Sequence, residues 1–385
     1  MPNQNALTLY FCGSGNKREQ IGDYLVPALY DRTVGKQEDM WSAGARAAIF
    51  DGPGGSKNLL KFDAKEVFDL VGSGELVAAR ETGKKRSHAW TGSLTGAGVV
   101  SNLLHAWIWL RYKLIEEHLV AENINLVGFS RGAYSCLALA KLLQQDCYFE
   151  LNQKKVNIFC FDPVPGGKGK MLGFVNDELR RFAWGGNFKK IFDVRKPEEL
   201  PKIVNECHTI AQENIKYTEV QHKKIGKHNV PWGIIWKDAN FQCVVPRREP
   251  GSAGEEPVIY PMPGHHSAAV NIKENAYEHT KTLGEHLCCE FLKRHGTEID
   301  GFTPLDMKEI NHCYLGIIRQ FVNKNSKNGF ARKPSGHRGR AVKNDHRDGN
   351  WFVNWHHASI ASKPSAWHYN PDTVRDFDLA DYEEA

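Results

Sequence analysis

Three residues of this chain have the types and the order of a nucleophile, an acid and a base: Ser130, Asp162 and His266. Ser130 is the middle of Gly128-Phe129-Ser130-Arg131-Gly132. A serine hydroxyl is a weak nucleophile until an imidazole takes its proton, and the imidazole needs a carboxylate to fix its tautomer. Glycines two before and two after the serine let a strand and a helix pass closely without a Cβ clash, so the hydroxyl stands at the tip of a strained turn. The amide of Arg131 then opens a helix N-terminus, where a developing oxyanion is stabilised. The amides of Gly13 and Ser14, in the loop Cys12-Gly13-Ser14-Gly15-Asn16, are candidates for the other half of that oxyanion site. The alternative for this loop is an ordinary turn.

Asp162 follows the apolar run Val156–Phe161 and precedes Pro163 and Pro165, which stop a strand. An aspartate there reaches the same rim of an open α/β sheet as Ser130. The competing role is a turn or helix-capping aspartate. His266 lies in Pro263-Gly264-His265-His266-Ser267, just after the short apolar run Val258–Tyr260. Ser, then Asp, then His is the chain order of α/β-hydrolases, whose nucleophile sits on a strand–turn–helix elbow. His265 is the rival base, since neighbours in an extended loop point in opposite directions. A histidine pair also suggests a metal, but no carboxylates stand at ligand spacing, so neither metal nor cofactor is expected.

The elements that must carry these residues are legible as apolar patterns. Strands are predicted at Leu7–Phe11, Ala47–Phe50, around Ile124–Val127, at Val156–Phe161, at Phe241–Val245 and at Val258–Tyr260. Helices are predicted over about Val99–His118, Ala133–Leu143, Met171–Phe182, Pro201–Glu213, Asn275–Leu292 and Pro304–Val322. Residues 56–95 read as loops and short helices. The fold class expected is α/β, an α/β-hydrolase fold with a mostly parallel central sheet flanked by helices and insertions forming a cap. Residues 1–300 are assigned to the catalytic domain, with 168–240 as a helical cap insertion, and 301–385 to a C-terminal helix, basic loop and aromatic tail packing on the body. Within that tail, 323–347 has no apolar periodicity and reads as a mobile solvated linker rather than a phosphate-binding patch. The stretch Trp351–His357 either packs back on the body or forms a lipid-facing lip, and His356 or His357 could reach the site from there.

The chain has 385 residues, 41% of them hydrophobic, which is ample for one large core with insertions. A net charge of +5 is too weak to argue for nucleic acid, and it suits transient contact with an anionic membrane surface. Nine cysteines without a Cys-x-x-Cys pair read as free thiols of a reducing compartment. The start Met-Pro-Asn-Gln-Asn lacks a basic region followed by an apolar run, and no stretch reaches eighteen apolar residues. A cytoplasmic location in the producing cell is expected.

Several of these segments, in order, resemble the α/β-hydrolase family that includes the lipase effectors of type VI secretion systems. Leu9–Asn16 is similar to that family's opening strand and Phe-Asp-Gly-Thr-Gly-Asn loop, and Phe50–Gly55 to its Tyr-Asp-Pro-Gly-Val-Gly turn. Gly128–Tyr134 is near-identical to its elbow, including the arginine. Phe161–Val164 resembles its Trp-Asp-Thr-Val, His208–Glu213 its His-Ala-Leu-Ala-x-Asp-Glu helix, and Pro263–Ser267 its Pro-Gly-Val-His-Ser-Asp. The resemblance spans roughly residues 7–290 and puts Ser130, Asp162 and His266 on catalytic positions. Cys12 and Ala268 stand where the family has aspartates, so contacts made by those aspartates do not carry over. What the resemblance implies is a lipid ester substrate, with a glycerophospholipid first, export by a non-classical route, and a cognate immunity or secretion-system protein as partner.

The residues themselves specify acyl chemistry only. An esterase or thioesterase acting on a small soluble ester has the same signature. A pseudo-hydrolase that binds a partner through this fold is the third reading, and the intact serine, aspartate and histidine argue against it.

Overall fold

The computed structural model describes residues 5–55, 60–85, 98–146, 148–149, 152–164, 199–214, 222–225, 228–231, 246–248, 255–264, 266–273 and 277–322. Its centre is a six-stranded sheet in the order β12-β8-β6-β5-β1-β2, built from β1 (Ala6–Phe11), β2 (Ala47–Phe50), β5 (Asn123–Phe129), β6 (Lys155–Phe161), β8 (Val204–Asn214) and β12 (Val258–Gly264). Every pairing in it is parallel. Parallel strands need crossovers that cover both faces, so their sequences are apolar on both sides. The runs Leu-Thr-Leu-Tyr-Phe in β1 and Ile-Phe-Cys-Phe in β6 have that character, and β1 is buried throughout.

On one face lie α2 (Ala64–Gly72), α3 (Leu76–Glu81), α4 (Val99–Arg111) and α5 (Arg131–Gln145). On the other lie α1 (Leu25–Asp31), α6 (Glu278–Arg294) and α7 (Met307–Val322). The two faces form separate apolar cores, one around Leu104, Trp109 and Leu137, the other around Phe159, Ile210 and Phe291. This is the α/β architecture expected from the sequence. Helix α4 ends earlier than its apolar pattern and passes into a π-helical turn at Tyr112–Glu116. Two short strands absent from the sequence reading, β3 (Leu60–Lys61) and β4 (Lys84–Lys85), pair antiparallel within the region read as loops and short helices.

The clearest correction concerns residues 201–213, expected to be helical. From Val204 on they belong to β8, a full member of the central sheet between β6 and β12. Ala211, Glu206 and Glu213 favour helix, but His208, Ile210 and Gln212 alternate with Cys207, Thr209 and Ala211 at the period of a strand. Tertiary pairing on both edges overrides the propensity. The segment expected as a helical cap therefore contributes a core strand, together with β7 (Glu199–Leu200) and the antiparallel pair β9 (His222–Ile225) and β10 (His228–Pro231). β7 pairs with the two-residue β11 (Arg247–Arg248). The helix expected at 171–182, the strand at 241–245, the basic stretch 323–347 and the aromatic segment 351–357 lie outside the described residues. Among the described residues seven cysteines, Cys12 and Cys289 among them, are buried and form no disulfide.

His105 shows how the first core treats a titratable group. Its ring packs against Trp41, Phe50 and Phe62, and Nε2 has no hydrogen-bond partner. Burial pushes its pKa down to about 3, helped by the charges of Arg18 and Arg80. The unfolded chain therefore binds the proton first as pH falls. Stability is full above the unfolded value near 6.5 and is expected to decline by about 1 kcal/mol per pH unit below it, towards the folded value. Thermal melts of the wild type and His105→Leu between pH 7 and pH 4 check this, since the variant lacks that part of the pH dependence.

Candidate active site

β5 lies third from the β2 edge, and its C-terminal end feeds directly into α5. Ser130 is the single residue between them, at φ 57° and ψ −122°, a region that costs a side-chain-bearing residue of order 1–3 kcal/mol. Its conformation is held from three sides. Its N–H donates to the Phe161 carbonyl at 2.9 Å, and its own carbonyl accepts from Val164 at 3.1 Å and from Tyr134 at 3.0 Å. The elbow glycines have steric reasons. A Cβ on Gly132 would sit 2.2 Å from the Phe11 carbonyl oxygen, and one on Gly128 would sit 2.5 Å from the Ala133 nitrogen. Both contacts are with backbone, which cannot swing aside. Gly132→Ala is thus expected to destabilise the protein by about 3 kcal/mol or more, as overpacking of a closed core does. Urea unfolding followed by far-UV circular dichroism measures it.

Asp162 follows β6 and has φ 41°. It is completely buried. β8 holds it twice: its N–H donates to the Ile210 carbonyl at 2.7 Å, and its Oδ1 accepts from the Gln212 N–H at 3.0 Å. Oδ2 lies 2.5 Å from His266 Nδ1, and His266 Nε2 lies 2.7 Å from Ser130 Oγ. Residues 136 and 104 positions apart from His266 thus meet on one imidazole. Its ring rests on Phe129, with centroids 4.9 Å apart. The side chains are screened to different degrees: Ser130 is 4% exposed and the His266 side chain 14%, so the imidazole is the wetter of the two.

The loop after β1 lies against the same turn. The Gly13 Cα is close enough to Phe129 that a Cβ would be 2.4 Å from its ring. Asn16 N–H closes the loop on the Gly13 carbonyl at 2.9 Å, and Gly15 N–H donates to the Pro53 carbonyl at 3.1 Å, so the loops after β1 and β2 brace each other. The Gly13 and Ser14 amides make no hydrogen bond with the described residues. The Ser14 hydroxyl is buried and unpartnered as well. Arg131 begins α5 and is itself buried, which lowers its guanidinium pKa.

The structure therefore brings Ser130, Asp162 and His266 together and places Arg131 beside the serine. His265 lies outside the described residues. What the sequence reading missed is the part played by β8, whose Gln212 amide holds the carboxylate. The strand alternation around His208 and Ile210 carried the signal. Among the described residues no group of three or more histidine, cysteine, aspartate or glutamate side chains is arranged to hold a metal ion. Nor is any described helix long and apolar enough to cross a membrane.

No protein-family model matches the chain, and no curated protein does. Among solved structures the chain is similar to the Tle1 effector in its complex with the VgrG spike of the type 6 secretion system. The likeness is 11% in sequence with a TM-score of 0.28, over 75% of this chain and 61% of that one. The chain thus spans about three fifths of the length of that effector.

Proposed function

We propose that this chain is a serine hydrolase that cleaves carboxylic esters, with Ser130 as nucleophile, His266 as general base and Asp162 as its orienting acid. The observation that carries this reading is the unbroken run from Ser130 Oγ through the His266 imidazole to a fully buried Asp162 carboxylate. With Nδ1–H donating to Asp162, Nε2 is the acceptor, so the serine proton has one place to go as Oγ attacks the acyl carbonyl. The carboxylate stabilises the imidazolium that forms. The imidazolium then protonates the leaving alcohol, and an acyl-enzyme on Ser130 remains. Water, activated by the same Nε2, releases the acid and restores the hydroxyl.

The oxyanion of each tetrahedral intermediate falls to the Arg131 amide at the start of α5 and to the Gly13 and Ser14 amides of the β1 loop. The Ser14 hydroxyl is a further donor on that loop. No cofactor enters these steps.

Within this class we assign a lipid ester, first a glycerophospholipid, as substrate, and a secretion-system or immunity protein as partner. That finer assignment rests on the sequence resemblance of the elbow and of the segments Leu9–Asn16, Phe50–Gly55, Phe161–Val164, His208–Glu213 and Pro263–Ser267. Residues 1–300 form the catalytic unit on this reading.

A fluorophosphonate probe tests the chemistry: covalent labelling at Ser130, lost in Ser130→Ala, is the expected result, and absence of labelling on folded protein refutes it. Release of fatty acid from phosphatidylglycerol and phosphatidylethanolamine vesicles, set against short nitrophenyl esters, tests the substrate class. Turnover confined to the short esters selects the small-ester esterase instead.

A further inference from the structure

Gln212 on β8 and Thr280 on α6 carry buried polar atoms that make no hydrogen bond with the described residues. Gln212 is 1% exposed, and neither its Oε1 nor its Nε2 makes a hydrogen bond; Thr280 is fully buried with an equally unpartnered Oγ1. Gln212 pairs in register with Met262 of β12, and Ile210 precedes it by two residues on the same strand face. A buried carboxamide left bare is costly, so native proteins seldom leave one that way.

The two residues belong to elements that pack on each other, β8 and α6. Ile210 Cδ1 lies 3.2 Å from the Cβ position of Gly284 on α6. Further down, His295, just past the end of α6, reaches Glu206 of β8 at 2.8 Å. The helix therefore runs antiparallel to β8. One helical turn back from Gly284 is Thr280, about 5–6 Å nearer the active-site rim. Two residues on from Ile210 is Gln212, about 6–7 Å in the same direction and on the same face. By this geometry the two lie at the same level of the β8–α6 interface, and no hydrogen bond joins them.

We propose that Gln212 and Thr280 enclose a sealed hydration site behind Asp162, and that Gln212 is through it a positioning residue for the carboxylate. A water there accepts from the carboxamide Nε2–H and exchanges a hydrogen bond with the Thr280 hydroxyl, giving each the partner that the described residues do not supply. Fixing the Gln212 side chain fixes its peptide, and the N–H of that peptide is the donor to Asp162 Oδ1. The site thus sets the angle at which Asp162 meets His266. This positioning role rests on the Ser130–His266–Asp162 reading; the shared hydration site does not.

The experiment is a double-mutant cycle with Gln212→Met and Thr280→Val, both close in shape to the originals. Either single change orphans the remaining polar group, whereas the double change removes both. The expected Tm of the double variant is therefore no lower than that of the less stable single variant. Additive Tm losses overturn the shared site. If Gln212→Met does not fold, Gln212→Leu closes the same cycle. Positioning is read from kinetics: kcat about tenfold lower with KM unchanged, and a displaced acidic limb of the kcat/KM profile, which reports the free enzyme's base. Unchanged kcat and an unmoved limb in folded variants overturn the positioning role, whatever the Tm does. Full turnover by Ser130→Ala instead overturns the serine reading, and the Tm cycle still decides the hydration site.

Discussion

Ser130→Ala is expected to lower ester hydrolysis by at least about 10³-fold while leaving the fold in place. The Oγ atom lies 2.7 Å from His266 Nε2 and does not cap α5, so its loss removes the nucleophile without uncapping the helix. The bonds that hold the turn, from the Ser130 N–H to Phe161 and from Val164 to the Ser130 carbonyl, are backbone bonds and survive the change. Alanine has the same Cβ as serine, so the strained φ of 57° is no worse than before. Stability should then stay within about 1 kcal/mol of the wild type, as for changes that touch no packing or cap. Initial rates on a nitrophenyl ester and on phospholipid vesicles, with circular dichroism to verify folding, make the measurement. A folded variant that keeps activity within tenfold of the wild type removes Ser130 from the mechanism.

The second large effect is at the base. His266→Ala is expected to cost on the order of 10³-fold or more in kcat and to slow fluorophosphonate labelling of Ser130, because among the described residues the His266 Nε2 is the group on the serine hydroxyl. It should also lower stability. The Asp162 carboxylate is completely buried, and without the imidazole it loses the Nδ1 partner at 2.5 Å and keeps the Gln212 amide. Leaving a buried charge short of a partner is expensive, about 3 kcal/mol for a broken pair. His266→Gln restores a donor towards Asp162 but no base. It is therefore expected to recover part of the stability and none of the activity, which separates the two roles. His265→Ala serves as the comparison. Parallel kinetics on the two alanine variants decide the assignment: an inactive His265→Ala beside an active His266→Ala means the register is off by one.

How much of this was legible before folding differs from residue to residue. Gly-x-Ser-x-Gly between an apolar strand and an apolar helix is a local pattern, and local patterns survive in sequence. The need for glycine at position 128 comes from the strand–helix crossing that the motif itself creates, whereas the atom a side chain at 132 would strike, the Phe11 carbonyl oxygen, belongs to another strand. The α/β class was equally legible, because parallel strands covered on both faces must be apolar on both faces. The runs in β1, β5 and β6 say so without help from the rest of the chain.

Residues 204–214 were not legible in the same way. Their composition suits a helix, and only pairing with β6 on one edge and β12 on the other makes them a strand. Asp162 shows the same division. Its type and its place after β6 could be read, but the two bonds that hold it come from Ile210 and Gln212, about fifty residues onward. Sequence order put a serine, an aspartate and a histidine in the chain order of an α/β-hydrolase. Only the sheet, by stacking β5, β6, β8 and β12 side by side, brought their polar atoms within 2.5–2.7 Å. Distances of that kind are set by register and crossover, which depend on contacts far apart along the chain, and no window of neighbouring residues contains them.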